Sequence, residues 1–230
     1  MSKAEVRERV WTSLDQARAV DPPGAAGHIP KFVGADLAAR RLAALDIWRN
    51  AHVIKANPDK AQLPVRQAAL RDHKLLYVAV PRIATSKPFY LLDPSEVAVD
   101  AAASRRADAV APTVGVTEMH AVDIVVCGTV AVDRRGVRIG KGAGFSDIEM
   151  GLLAEGGLLG PSTTIVTTVH QVQVVDDDLP ETDHDFRVDL IVTPNEVITC
   201  APSPRPSGII WEHLNPEKIR SIPALAAKQR

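Results

Sequence analysis

Aromatic residues make up only 4% of this 230-residue chain. That scarcity argues against a base-stacking platform for single-stranded nucleic acid. An excess of either charge is also lacking. The formal net charge is −1 at pH 7, which offers no electrostatic footprint for nucleic acid or an anionic membrane. Cysteine is almost absent: Cys127 and Cys200 show neither C-x-x-C nor metal-ligand spacing. Cys127 lies in an apolar run and is expected to be a small core residue. No apolar run reaches 18 residues and the N-terminus is charged from Lys3 onward, so the expectation is a cytoplasmic protein without membrane span or signal segment. None of the seven histidines stands in H-x-x-x-H or H-E-x-x-H spacing, which leaves a zinc site without support. There is no G-x-S-x-G, and no serine stands out as a nucleophile.

What is present reads as an α/β protein. Hydrophobic content of 46% and charged content of 24% are ordinary for a globular chain, and the length suffices to bury a core without staples. Residues 2–14 predict a helix, with a Ser2–Glu5 capping box and Val6, Val10 and Leu14 repeating at spacing four. Ala35 to Trp48 predicts a second helix, with Ala35, Ala38, Ala39, Leu42 and Leu45 on its buried face. Val65 to His73 predicts a third. Strands are expected at 52–56, 75–80, 123–132, 164–169 and 188–193. Residues 98–118 lose periodicity. The run 75–80 is apolar on both faces, the habit of a parallel strand covered by helices on each side. Alternating strands and helices predict a mostly parallel sheet flanked by helices. The expected organisation is one α/β domain over 1–200, then a proline-rich linker and tail over 201–230.

The stretch Arg138 to Asp147 reads R-I-G-K-G-A-G-F-S-D, with Gly140, Gly142 and Gly144 at alternate positions between basic residues Arg138 and Lys141. An apolar-periodic segment follows. Glycines let backbone N–H groups approach a ligand closely, and a helix start beyond adds partial positive charge, a combination suited to phosphate. The pattern is neither the dinucleotide nor the P-loop fingerprint. Read alone, the stretch is either a plain tight connection or an anion cradle. Arg138 and Lys141 are either a solvated rim or fixed positive charge. Ser146 or Asp147 is a candidate helix N-cap. On the first helix, Lys3 and Arg7 share the side of the apolar stripe, where they either snorkel along the core edge or meet an anion in a cleft. His184, Asp185 and Asp189 cluster near a predicted strand start, and His170 closes another strand.

These residues together resemble the 5-formyltetrahydrofolate cyclo-ligase (methenyltetrahydrofolate synthetase) family, whose loop has the form R-L-G-x-G-x-G-Y-Y-D. The match here is Asp133, Gly136, Arg138, Ile139, Gly140, Gly142, Gly144 and Asp147. Two further motifs appear in the expected order. The family's K-x-x-L-R is similar to Lys3-Ala-Glu-Val6-Arg7, and its H-D-x-x-x-D-x-I-V-T to His184, Asp185, Asp189, Ile191, Val192 and Thr193. The resemblance covers roughly residues 3–200. It departs at the loop tyrosines, here Phe145 and Ser146, and at the acidic folate segment, here Asp59-Lys60-Ala61-Gln62. The sequence looks most like the divergent cyclo-ligase-like branch related to the methenyltetrahydrofolate synthetase domain-containing proteins.

The resemblance implies the cyclo-ligase fold, shared with sugar-phosphate isomerases and CoA transferases. It also implies ATP- and Mg²⁺-dependent ring closure of 5-formyltetrahydrofolate or a related formyl or amide substrate. It assigns ATP binding to Lys3, Arg7, Arg138, Gly140, Lys141, Gly142, Gly144, Phe145, Ser146 and Asp147. Catalytic charge falls to Arg138 and Lys141, substrate contacts to Asp59 and Gln62, and metal binding to Asp147 and Asp189. The alternative is a nucleotide- or small-ligand-binding regulatory module that keeps the cleft without turnover. A small folate-like molecule is the expected partner, nucleic acid and membrane are not, and the oligomeric state is open.

Overall fold

The structure is a computed structural model in which residues 1–229 are described. The first helix, α1, spans Lys3–Gln16 and opens on the expected capping box: Glu5 N donates to Ser2 Oγ at 3.3 Å and Ser2 N to Glu5 Oε2 at 2.6 Å. Its stripe of Val6, Val10, Trp11 and Leu14 is buried. The helix predicted over 35–48 is two helices, α2 (Ala35–Ala43) and α3 (Asp46–Asn50). The break lies at Leu45, which is extended (φ −81°, ψ 150°), and Arg49 Nη1 donates to the Ala44 carbonyl there. Strand β1 (Val53–Ala56) leads to α4 (Leu63–Arg71), which begins two residues earlier than expected because Pro64 occupies its first turn. Then come β2 (Leu75–Ala79), β3 (Phe89–Leu92), α5 (Ser104–Val110) and β4 (Thr113–Val114).

The run expected as one strand over 123–132 is divided. Strand β5 (Val122–Cys127) ends at Gly128, and β6 (Ala131–Asp133) pairs with β7 (Arg138–Ile139) in a separate small sheet. A Cβ on Gly128 would lie 2.6 Å from Asp59 Oδ2, so only glycine lets the chain leave the sheet beside that carboxylate. The carbonyls freed at the break are not orphaned. Gln173 Nε2 donates to Thr129 O at 2.8 Å and to Val130 O at 3.2 Å. Beyond the glycine loop follow α6 (Phe145–Glu155), β8 (Leu159–Thr168), β9 (Val174–Val175), β10 (Leu190–Val192) and β11 (Val197–Thr199). The chain closes with α7 (Pro216–Ser221) and α8 (Pro223–Ala226).

The main sheet has eight strands in the order β11-β10-β8-β5-β1-β2-β3-β4. Its centre, β10-β8-β5-β1-β2, is parallel, and both edges are antiparallel. The mostly parallel sheet flanked by helices is therefore the architecture the sequence predicted. Successive residues of the central strands point to opposite faces and fill two cores. Ile54, Ile124 and Val126 pack with α1, α2 and α4, while Val125, Cys127 and Ile165 pack with Met150 and Leu153 of α6. A third apolar cluster joins Ile148 and Leu152 of α6 to Ile83 and to Ile219, Ile222 and Leu225 of the last helices. Among the described residues no helix is long and apolar enough to cross a membrane.

Candidate functional site

The parallel strands β1, β2 and β5 end together, just before Asn57, Val80 and Gly128, and ligands of open α/β sheets bind beyond such ends. A cleft of about 1100 Å³ opens there. The glycine loop forms one wall, not as an extension of β5 but hung from β7 of the small sheet. Gly142 (φ +97°) and Gly144 (φ +70°) adopt the left-handed backbone that favours glycine. Gly144 is the N-cap of α6, so neither Ser146 nor Asp147 caps it, and the N-cap residue has no side chain to occupy the first-turn amides. The helix start therefore faces the cleft with no side-chain cap, and Asp147 is the acidic residue of its first turn.

Arg138 is buried with its guanidinium 4.3 Å over the Phe186 ring. Its Nη1 lies 3.8 Å from Asp147 Oδ1, an ion-pair distance too long for a hydrogen bond. Among the described residues, Arg138 Nε and Asp147 Oδ1 are buried with no hydrogen-bond partner. Buried atoms of this kind are costly unless something else satisfies them. Lys141 is exposed at the rim. Arg7 crosses from α1 and donates from Nε to Gly140 O at 2.7 Å, its guanidinium passing beside Gly142. Lys3 also reaches the cleft, but its ammonium is bound to Asp185 and to Thr182 Oγ1 at 3.0 Å. Burial pushes the Asp185 carboxyl up; the hydrogen bonds from Lys3 and Thr182 outweigh that and hold it below its usual range.

Asp59 lines the opposite wall. Burial raises its pKa, opposed by the charges of Lys141, Arg66, Lys55 and Arg138. The backbone around it is fixed by Arg66, a buried residue donating from Nη1 to the carbonyls of Asn57 and Asp59 at 2.5 and 2.9 Å. Burial lowers the Arg66 pKa to about 10, against the attraction of Asp59. Gln62 does not reach the cleft. The 3₁₀ turn Lys60–Gln62 carries it inward, where Nε2 lies 3.3 Å from both Thr168 O and Thr168 Oγ1. Asp189 is likewise elsewhere. It precedes β10, near the strand's N-terminal end, accepts from Ile165 N at 2.7 Å and pairs with Arg205 at 2.9 Å. Its expected metal role has no geometry here, because the strand direction puts it at the wrong end. Asp185, from the same motif, is the one in the cleft. His170 accepts from Val172 N at 3.2 Å and caps a 3₁₀ turn.

Sequence reasoning missed the floor. Lys55 of β1 and Glu149 of α6 form a buried ion pair, joined by Asn57 Oδ1 at 2.9 Å from Lys55 Nζ. A lysine inside an apolar strand was the available signal, and an i, i+2 partner was the second. Also missed was the turn Pro81–Ile83 at the cleft edge, where Arg82 (φ 59°) and Ile83 (φ 53°) are both left-handed. Such residues cost of order 1–3 kcal/mol each and gather at functional sites. Among the described residues no group of three His, Cys, Asp or Glu side chains converges to hold a metal.

Comparison with known proteins supplies the family. The chain is 38% identical over 235 residues to the methenyltetrahydrofolate synthase domain-containing protein of Mus musculus, an alignment covering 98% of this chain and 62% of that one. The human protein of the same name is 35% identical over 234 residues, covering 98% and 61%. The chain thus spans about three-fifths of the length of these curated relatives. Among solved structures, the 5,10-methenyltetrahydrofolate synthetase of Aquifex aeolicus has a TM-score of 0.56 at 20% identity, covering 89% of this chain and 95% of that one, a likeness of fold. With residues 1–194 matched by the family's own pattern, a span that contains the glycine loop and the cleft lining except Ser221, the chain belongs to the 5-formyltetrahydrofolate cyclo-ligase family.

Proposed function

We propose that this cleft performs an ATP-dependent cyclo-ligation on 5-formyltetrahydrofolate or a chemically related formyl or amide substrate. The observation that carries the reading is that Arg138 and Asp147, which flank the glycine loop and pair at 3.8 Å, each keep a buried, unpartnered polar atom, Nε and Oδ1, beside a helix start with no side-chain cap. A donor and an acceptor left open together suit a phosphate and its counter-cation. Arg138 and Lys141 supply positive charge, Arg7 fixes the loop through Gly140, and Asp147 is the carboxylate placed to hold Mg²⁺. Magnesium usually takes one or two carboxylates plus phosphate oxygens and water, so one protein ligand is an adequate set. Bound Mg²⁺ supplies charge neutralisation on the phosphate oxygens. Asp189 takes no part.

In the reaction proposed, the formyl oxygen attacks the terminal phosphorus of ATP and ADP leaves. A neighbouring amine nitrogen then attacks the activated carbon, and phosphate departs with the amine's proton as the ring closes. Positioning and charge stabilisation suffice for such a transfer, and no side-chain nucleophile is needed. Asp59, desolvated and facing the cleft, is the substrate-side carboxyl.

The test is the near-ultraviolet absorbance of the methenyl product with ATP, Mg²⁺ and 5-formyltetrahydrofolate, alongside phosphate release. Product and phosphate in equal amounts are expected, at a rate below that of an orthodox family enzyme. Absence of ATP binding by calorimetry would overturn the reading. The alternative, a nucleotide-binding module without turnover, is favoured by one observation. Phe145, at the position of a family tyrosine, is covered by Lys218 Nζ 3.4 Å above its ring, and it has no hydroxyl to offer a substrate. ATP binding without phosphate release would select that alternative.

A further inference from the structure

The match to the family ends at residue 194, yet the chain beyond it touches the glycine loop, α6 and the Pro81–Ile83 turn. Gly208 and Ile209 cross α6 at Gly151, where a Cβ would lie 2.6 Å from Ile209 Cδ1 and 3.1 Å from the Gly208 carbonyl. A glycine in a helix interior costs up to about 1 kcal/mol relative to alanine, and this one makes room for the crossing backbone. Glu155 clamps the segment at both ends, accepting from Ile209 N at 3.1 Å and from Lys228 Nζ at 2.6 Å. Ile219, Ile222 and Leu225 then bury against Ile148 and Leu152 of α6 and against Ile83 of the strained Pro81–Ile83 turn.

Lys218 is the polar centre of this contact. Asn215 caps α7 by accepting from Lys218 N at 2.7 Å, which fixes where the lysine starts. Its Nζ donates to Ala143 O, inside the glycine loop, at 2.9 Å and sits over the Phe145 ring. One side chain thereby holds both the carbonyl before Gly144 and the first residue of α6, the two sides of the left-handed link. Nearby, His213 Nδ1 lies 3.0 Å from His184 Nδ1, beside the Asp185 that holds Lys3. Ser221 lines the cleft itself.

We infer that residues 208–226 brace the glycine loop and α6 at the cleft, and that Lys218 is a positioning residue that sets the conformation of the glycine loop for its ligand. The inference takes its ligand, and only that, from the nucleotide reading above. The cation–π contact and the hydrogen bond lower the freedom of Ala143–Phe145 before a phosphate arrives, so less ordering is left for binding to offset.

The experiment compares wild type, Lys218→Met, Lys218→Arg and Asn215→Ala in two measurements. One is hydrogen exchange of residues 140–147 without nucleotide; the other is affinity for ATP with Mg²⁺. In Lys218→Met, loop exchange should rise and ATP affinity should fall about tenfold, the scale of one hydrogen bond to a charged group, with the far-ultraviolet dichroism unchanged. Lys218→Arg, which keeps the charge and can stack on Phe145, should restore both, and Asn215→Ala should move both in the direction of Lys218→Met. Wild-type loop exchange in Lys218→Met would overturn the inference. If wild type binds no ATP while Lys218→Met still frees the loop, the nucleotide reading fails and the positioning role stands.

Discussion

Lys55 and Glu149 form an ion pair across the floor of the cleft with side chains 0% and 4% exposed. The lysine belongs to the central strand β1 and the glutamate to the second turn of α6, so the pair ties the helix that follows the glycine loop to the sheet. Burial raises the Glu149 pKa, and the charge and hydrogen bond of Lys55 oppose that rise. Asn57 completes the shell of Lys55, and its Nδ2 lies 3.5 Å from Ser146 Oγ at the start of α6.

Removing one partner leaves the other as an unpaired buried charge, so Glu149→Leu should destabilise the protein by about 3–5 kcal/mol. The double variant Lys55→Met/Glu149→Leu should recover most of that loss, because two apolar side chains of similar volume replace the pair. Urea midpoints at constant m-value decide it. A double variant as unstable as the single would mean that the pair is not what holds α6 in place.

Gly142→Val should abolish ATP binding while the far-ultraviolet dichroism stays near wild type. The substitution places a β-branched residue at φ +97° and a Cβ 3.2 Å from Arg7 Cζ, so loop and arginine are displaced together. Unchanged ATP affinity in calorimetry would sink the assignment of the loop to nucleotide.

The two basic residues of α1 should differ. Arg7 anchors the loop through Gly140, and Arg7→Ala should weaken ATP binding by about 2 kcal/mol, the scale of hydrogen bonds to charged groups. Lys3 is already paired with Asp185, so Lys3→Met should cost less than Arg7→Ala. The reverse order in titration calorimetry would place Lys3, not Arg7, on the phosphates.

Asp59 gives a pH prediction. Its pKa is raised in the folded protein, mainly by burial. A carboxyl of that kind favours the fold while protonated, and the contribution is lost as pH rises from the ordinary carboxylate range through the raised value. Asp59→Asn should therefore stabilise the protein by about 1 kcal/mol at neutral pH, a usual gain when functional-site strain is relieved. It should also flatten the decline of stability above pH 4, the usual carboxylate range. Thermal unfolding from acid to neutral pH measures both; a steeper decline in the variant would contradict the sign.

Metal dependence separates the two aspartates of the sequence motifs. Asp147→Asn should weaken Mg²⁺-dependent ATP binding, whereas Asp189→Asn should leave it unaltered and lower stability by loosening Arg205 and the Ile165 amide. The Mg²⁺ dependence of ATP affinity in each variant checks this.

Local order determined much of this protein. The capping box and spacing of α1, the twofold-apolar run of β2 and the glycine loop are contained in short stretches of sequence. Their periodicity and turn chemistry suffice to place a mostly parallel sheet and a glycine loop before a helix. The short edge strands β3 and β11 escaped, since few residues carry little periodicity.

Tertiary structure decided what short stretches cannot encode. The apolar run 123–132 reads as one strand, but Gly128 must make way for Asp59, 69 residues earlier in the chain, and Gln173 must answer the carbonyls of the break. Strand direction alone separated Asp185, in the cleft, from Asp189, near the other end. The Lys55–Glu149 pair and the Lys218 contact with Ala143 join residues 94 and 75 positions apart. Each depends on which faces the sheet brings together, because a charge is held out of water only where a partner from elsewhere in the chain arrives to meet it.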